Sequence, residues 1–160
     1  MADYCNYRIH ARGRRAACLM LFLAMPCADS KELITAEGTA DDFVIHFESC
    51  CKYSLDAYCK PYDGTIDCSG LENIKLDADE EIAESDLYEY EELGLPYWYI
   101  TMQQKSELLQ LEIQAQTWMH GEGYIGMSHW KNGEVISEDD VPWPDGVDPY
   151  EDPDDDGFDF

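Results

Sequence analysis

Leu111-Glu-Ile-Gln-Ala-Gln-Thr-Trp-Met119, a glycine turn, Tyr124-Ile-Gly-Met-Ser-His-Trp130, and then Lys131-Asn-Gly-Glu134 running into Val135-Ile136 make up the stretch whose reading decides the fold. It follows the end of a helix at Leu108. Leu111, Ile113, Ala115, Thr117 and Met119 fall on one face of an extended chain, and Glu112, Gln114, Gln116 and Trp118 on the other. That period of two is the mark of a strand. Asn132-Gly133 predicts a type I′ hairpin turn, because both central residues need positive φ and these two tolerate it best.

Working outward, a chain of 160 residues fits one domain and can bury a substantial core. Its 45% hydrophobic and 12% aromatic content is that of a globular protein. The net charge of -25 is unusual, and it is unevenly spread. Residues 1–60 hold 7 of the 10 Lys and Arg with 8 of the 35 Asp and Glu; residues 61–160 hold 3 against 27, a balance of -24. Such a field repels nucleic acid and anionic membranes and attracts basic protein surfaces or cations.

Cys5, Cys18, Cys27, Cys50, Cys51, Cys59 and Cys68 are odd in number and contain no C-x-x-C pair. Neither a disulfide framework nor a zinc site follows, and reduced cysteines used as small core residues in the cytoplasm are expected.

From the amino-terminal end, Tyr4 to Ala11 alternates as a strand that Gly13 breaks, and Arg14 to Met25 reads as a helix stopped by Pro26. Its rival is a signal peptide, with Arg12, Arg14 and Arg15 before the apolar run Ala16 to Met25. The preceding strand and the unpatterned cysteines oppose that reading, and the run is too short to span a membrane. Phe43 to Phe47 is a strong strand and Tyr53 to Tyr58 the next, before the turn Tyr62-Asp63-Gly64. Residues 71–95 form an acidic insertion in which Ala83, Leu87 and Tyr90 recur at helical spacing until Gly94 and Pro96. Tyr97 to Ile100 is an aromatic anchor, and Met102 to Leu109 a second core helix. Prolines at 142, 144, 149 and 153 argue against regular structure after Ile136. The expected class is α+β: a ferredoxin-like split β-α-β antiparallel sheet over residues 1–138 with helices on one face, followed by an acidic tail, 139–160.

Ala2-Asp3-Tyr4-Cys5-Asn6-Tyr7 with Gly13, the strand pair around Ile45 to Cys59, Ser106-x-x-Leu109-x-Leu111-x-Ile113 and Trp130-Lys131-Asn132-Gly133-Glu134 resemble the YubB-like ferredoxin-like proteins. These are small proteins of plasmids, phages and bacterial chromosomes. The resemblance covers residues 1–60 and 100–138 and implies a fold but no catalytic residue. The acidic insertion and tail depart from it.

No motif points to a reaction. Gly121-x-Gly123-x-x-Gly126 has the letters of a dinucleotide fingerprint, but a strand follows where a helix is needed, so the glycines shape a turn. His120-x-Glu122 lacks the paired cysteines of zinc deaminases. His10, His46, His120 and His129 fall on separate segments, and neither Cys59 nor Cys68 has a recognisable base. Asp152-Pro-Asp154-Asp155-Asp156-Gly157 is half of a calcium loop, and the position-12 glutamate has no counterpart.

The acidity remains. Its plain reading is a solvated surface. Its functional reading rests on interleaved aromatics, namely Tyr88, Tyr90, Trp143, Tyr150, Phe158 and Phe160, which supply packing area that charge lacks. The expectation is a non-enzymatic acidic inhibitor of a basic host protein or nucleoprotein complex, such as a CRISPR effector or restriction enzyme, with no cofactor. An enzyme of unknown type and a weak cation-binding accessory are the alternatives. The expected partner-binding set in the insertion is Asp77, Asp79, Glu80, Glu81, Glu84, Asp86, Glu89, Glu91 and Glu92. In the tail it is Asp139, Asp140, Trp143, Asp145, Asp148, Tyr150, Glu151, Asp152, Asp154, Asp155 and Asp156.

Overall fold

The computed structural model describes residues 4–25, 27, 31–52, 55, 100–119 and 124–143. Along the chain these form β1 (Tyr4–Gly13), α1 (Arg15–Ala24), β2 (Glu32–Gly38), β3 (Phe43–Lys52), α2 (Met102–Leu109), β4 (Glu112–Trp118), β5 (Tyr124–Lys131) and β6 (Glu134–Pro142). The six strands make one antiparallel sheet in the order β2-β3-β1-β4-β5-β6. An α+β class is thus observed.

One face of the sheet carries the core. Tyr7, Ile9 and Ala11 on β1, Ile45 and Phe47 on β3 and Ile113 and Ala115 on β4 are buried against Leu19, Leu21 and Phe22 of α1 and Met102 and Leu109 of α2. Period-two alternation in the strands and the apolar run of α1 bring these side chains together. The α1 carboxyl end is closed by Lys31, whose buried ammonium donates to the carbonyls of Phe22 and Leu23. That satisfies orphan carbonyls and places a cation at the negative end of the helix.

A capping box starts α2: Thr101 Oγ1 accepts from the Gln104 amide at 3.1 Å, and Gln104 Oε1 accepts from the Thr101 amide at 2.9 Å. Gln110, left-handed at φ 53, ends it. The same helix holds the hairpin turn, since Gly133 N–H donates to Ser106 Oγ at 3.0 Å and Gln103 Nε2 donates to Gly133 O at 2.8 Å. Asn132 and Gly133 have φ of 50 and 88, the two positive values that a type I′ turn requires. A Cβ on Gly133 would lie 2.9 Å from that of Glu107. Gly133→Ala is therefore expected to lose about 1–3 kcal/mol, readable as a lower urea midpoint with an unchanged slope.

Several expectations need correction. Glu32–Gly38 is a strand that the sequence reading left out, and β3 extends from Phe43 to Lys52 rather than stopping at Phe47. Nor does regular structure end at Ile136. Ser137 to Pro142 continue β6 in register with β5, so Asp139 and Asp140 are strand residues, not the opening of an irregular tail. Pro142 is compatible because it takes the last place of an edge strand. The expected strand from Tyr53 to Tyr58 lies outside the described residues except for Leu55, as does the acidic insertion 71–95.

Candidate functional site

Of the expected partner-binding set, Asp139, Asp140 and Trp143 are described; the residues from Asp77 to Glu92 and from Asp145 to Asp156 lie outside the described residues. Asp139 and Asp140 are brought together on β6, and half-buried Trp143 follows that strand. Glu134 and Glu138 join them, giving four carboxylates and no basic side chain among nine exposed residues. The sequence reading passed over these two, although the alternation after the Asn-Gly turn could have found them.

The register with β5 sorts the carboxylates by face. Asp139 stands opposite Met127, on the face away from the helices, whereas Glu138 and Asp140 stand opposite Ser128 and Gly126 on the helix side. Gly126 leaves no room for a Cβ beside Thr117 Oγ1, and Asp140 Oδ1 lies 3.7 Å from where that atom would be. The glycine of the fingerprint-like motif thus sits mid-strand under an aspartate, where a close approach needs it.

The face away from the helices is polar, yet much of it is withdrawn from solvent. Thr35, His46, His10, Gln114, His129 and Ser137 form one row across all six strands, each opposite the next. His10 and His46 stack with ring centroids 3.7 Å apart. In the adjacent row, Arg8 donates from Nε to Glu48 Oε2 at 2.8 Å and from Nη1 to Gln116 Oε1 at 2.7 Å. Its guanidinium also lies 5.1 Å from the centre of the Trp118 ring. Gln114 and Gln116 are each 5% exposed, and Trp118 is 4% exposed. The buried Arg8 guanidinium and Gln116 carbonyl satisfy each other, with Glu48 as the second acceptor, as burial requires.

Basic side chains on this face meet carboxylates. Arg12 donates to both oxygens of Asp42, at 2.9 and 3.1 Å. Those hydrogen bonds, with the charge attraction second, hold the Asp42 carboxyl below its usual range and raise the Arg12 value. His129 Nε2 and Glu112 Oε2 are 2.8 Å apart. The acidic β6 edge lies beside a face whose arginines already have carboxylate partners.

Other candidates from sequence take their places here. Cys5 and Cys51 face each other across β1 and β3, and the hydrogen bond between their thiols lowers the Cys5 value despite its burial. Cys5, Cys18, Cys27, Cys50 and Cys51 are reduced thiols that form no disulfide among the described residues. Cys59, Cys68, His120, Glu122, Gly121 and Gly123 lie outside the described residues. Among the described residues, no three His, Cys, Asp or Glu side chains are placed to hold a metal ion, and no helix is long and apolar enough to cross a membrane. Comparison with protein-family models, with curated proteins and with solved structures finds no match.

Proposed function

We propose that this protein is a non-enzymatic acidic inhibitor that occupies the nucleic-acid groove of a basic protein, such as a CRISPR effector or a restriction enzyme. The observation that carries the reading is the balance of -24 after residue 60, part of which is borne by strand β6, whose residues are all exposed. Geometry adds support. A strand advances about 3.4 Å per residue, and each strand of duplex DNA carries one phosphate per about 3.4 Å of axis. Glu138 and Asp140, two residues apart on one face of β6, repeat charge at about twice that interval, so that they match alternate phosphates, and Asp139 projects from the other face. Lys and Arg that hold phosphates would meet carboxylates instead, and Trp143 and Tyr150 would add packing. Specificity would come from shape, since charge attracts every basic surface.

The strand order β2-β3-β1-β4 supports, as part of the same proposal, a ferredoxin-like core of YubB-like type with β5 and β6 added at its β4 side.

The test is capture of the partner from its host followed by competition. Nucleic acid is expected to be displaced at saturating inhibitor, with affinity that falls steeply as salt rises, because exposed charge attraction fades over a Debye length of ~8 Å at physiological ionic strength. A captured partner that holds its DNA or RNA equally well when saturated would overturn the reading.

A further inference from the structure

We infer that β6 is a docking edge for an extended, lysine- or arginine-bearing segment of the partner, which adds to the sheet as a seventh strand. The inference rests on the reading of the protein as an acidic inhibitor and specifies how it grips its target.

β6 closes one side of the sheet, all nine of its residues are exposed, and among the described residues none pairs with its outer side. Alternate backbone N–H and C=O groups of an edge strand point outward and form a template for another strand. Edges are guarded by charged side chains, lysine above all, by prolines and by bulges. The four charges of β6 are all carboxylates, which repel another acidic strand but attract a basic one, and Pro142 stands only at the end. The register with β5 shifts near Trp130 and Val135 and is then unbroken from Ser137 to Pro142. The opposite edge, β2, is a poorer template: it has seven residues, and its register shifts between Leu33 and Thr35.

Charge chooses the occupant. A second copy of this chain paired through β6 would set four carboxylates against four, with no cation in either strand. Like charges facing each other across a strand pair are destabilising, whereas opposite ones stabilise. A basic strand satisfies both backbone and side chains. Its residues alternate between faces, so cations on one face would meet Glu138 and Asp140, and those on the other Asp139. Exposed Val135 and Val141 offer apolar contact at either end.

The probe is an eight-residue peptide of alternating Lys and Val, added to the full chain at low ionic strength. Two controls accompany it: the same peptide N-methylated at every backbone nitrogen, and a Glu-Val counterpart. The readout is amide hydrogen exchange. The Lys-Val peptide is expected to slow exchange of the outward amides within residues 137–141 at least tenfold, and neither control is expected to change it. Equal slowing by the N-methylated peptide would mean that charge alone binds. Slowing confined to β2, or no slowing anywhere, would overturn the inference, as would a free chain that sediments as a dimer with these amides already protected. A variant carrying Glu138→Gln, Asp139→Asn and Asp140→Asn, all at exposed positions, is expected to lose the effect while keeping its thermal midpoint; retention of the full effect counts against the inference. The two readings fail separately. A captured partner that releases nucleic acid while β6 amides stay fast removes the docking edge and leaves the inhibitor. One that keeps its nucleic acid while β6 becomes protected does the reverse.

Discussion

Replacing Phe47 by alanine is expected to lower the unfolding free energy by about 3–5 kcal/mol, the usual result of emptying a phenyl site in a packed core. Phe47 is fully buried in the middle of β3 and receives rings from two elements. Phe22 of α1 meets it edge-on with centroids 5.0 Å apart, and Tyr7 of β1 does so at 6.4 Å. Such pairs add to the area term, so the loss exceeds that of an aliphatic truncation. Urea unfolding should show a lower midpoint and an unchanged slope. Tyr124→Ala, at an exposed position on β5, should stay within about 0.5 kcal/mol. Similar losses from the two variants would mean that α1 does not close on the sheet as described.

Alkaline pH should weaken the fold through Cys18. Burial pushes this thiol from an ordinary 9.0 up to about 12, only partly offset by a hydrogen bond to backbone. The folded chain therefore keeps its proton over a range in which the unfolded chain has lost it. With fewer protons on the unfolded state, stability is complete below pH 9.0 and falls as pH rises toward about 12. The difference converts to about 4 kcal/mol. Tyr7 acts in the same direction at higher pH, because its burial raises the phenol well above 10.0. Cys5, whose value is lowered by its hydrogen bond to Cys51, acts in the opposite one. Denaturant midpoints followed from pH about 8 to about 11 should decline for the native chain and flatten for Cys18→Ala. Equal slopes for the two would show that Cys18 is not the group responsible.

The parts of the fold legible in the sequence are those set by neighbours along the chain. Alternation from Leu111 to Met119, the Asn132-Gly133 turn and the helix from Met102 to Leu109 all depend on contacts within a few residues. β2 is not legible because little of it faces the core: Leu33 and Ala36 are only half-buried, and the register shift at Leu33 spoils the alternation. The full length of β6 is hidden because Pro142 reads as a strand breaker in sequence, whereas pairing puts it at the last place of an edge strand. At the candidate site, composition pointed to Asp139, Asp140 and Trp143 but not to the strand that aligns them. The polar face was harder still. Gln114 and Gln116 look like solvent-facing residues until Arg8 is set beside them by pairing between distant segments.

The central position of β1 has a consequence for how the chain is made. Arg8 and its hydrogen-bonding partner Gln116 are 108 residues apart, whereas Arg8 and Glu48 are separated by 40. At about 5–20 residues per second, a ribosome needs roughly 5–20 s between making the two ends of the longer pair. During that interval β1 can close with β3 and α1, but its other edge has no strand to receive. The middle of the finished sheet is thus completed only once β4 has been made, and completion waits on closing a very long loop. Refolding of the full chain should accordingly be slow, as it is for sheets built from distant segments.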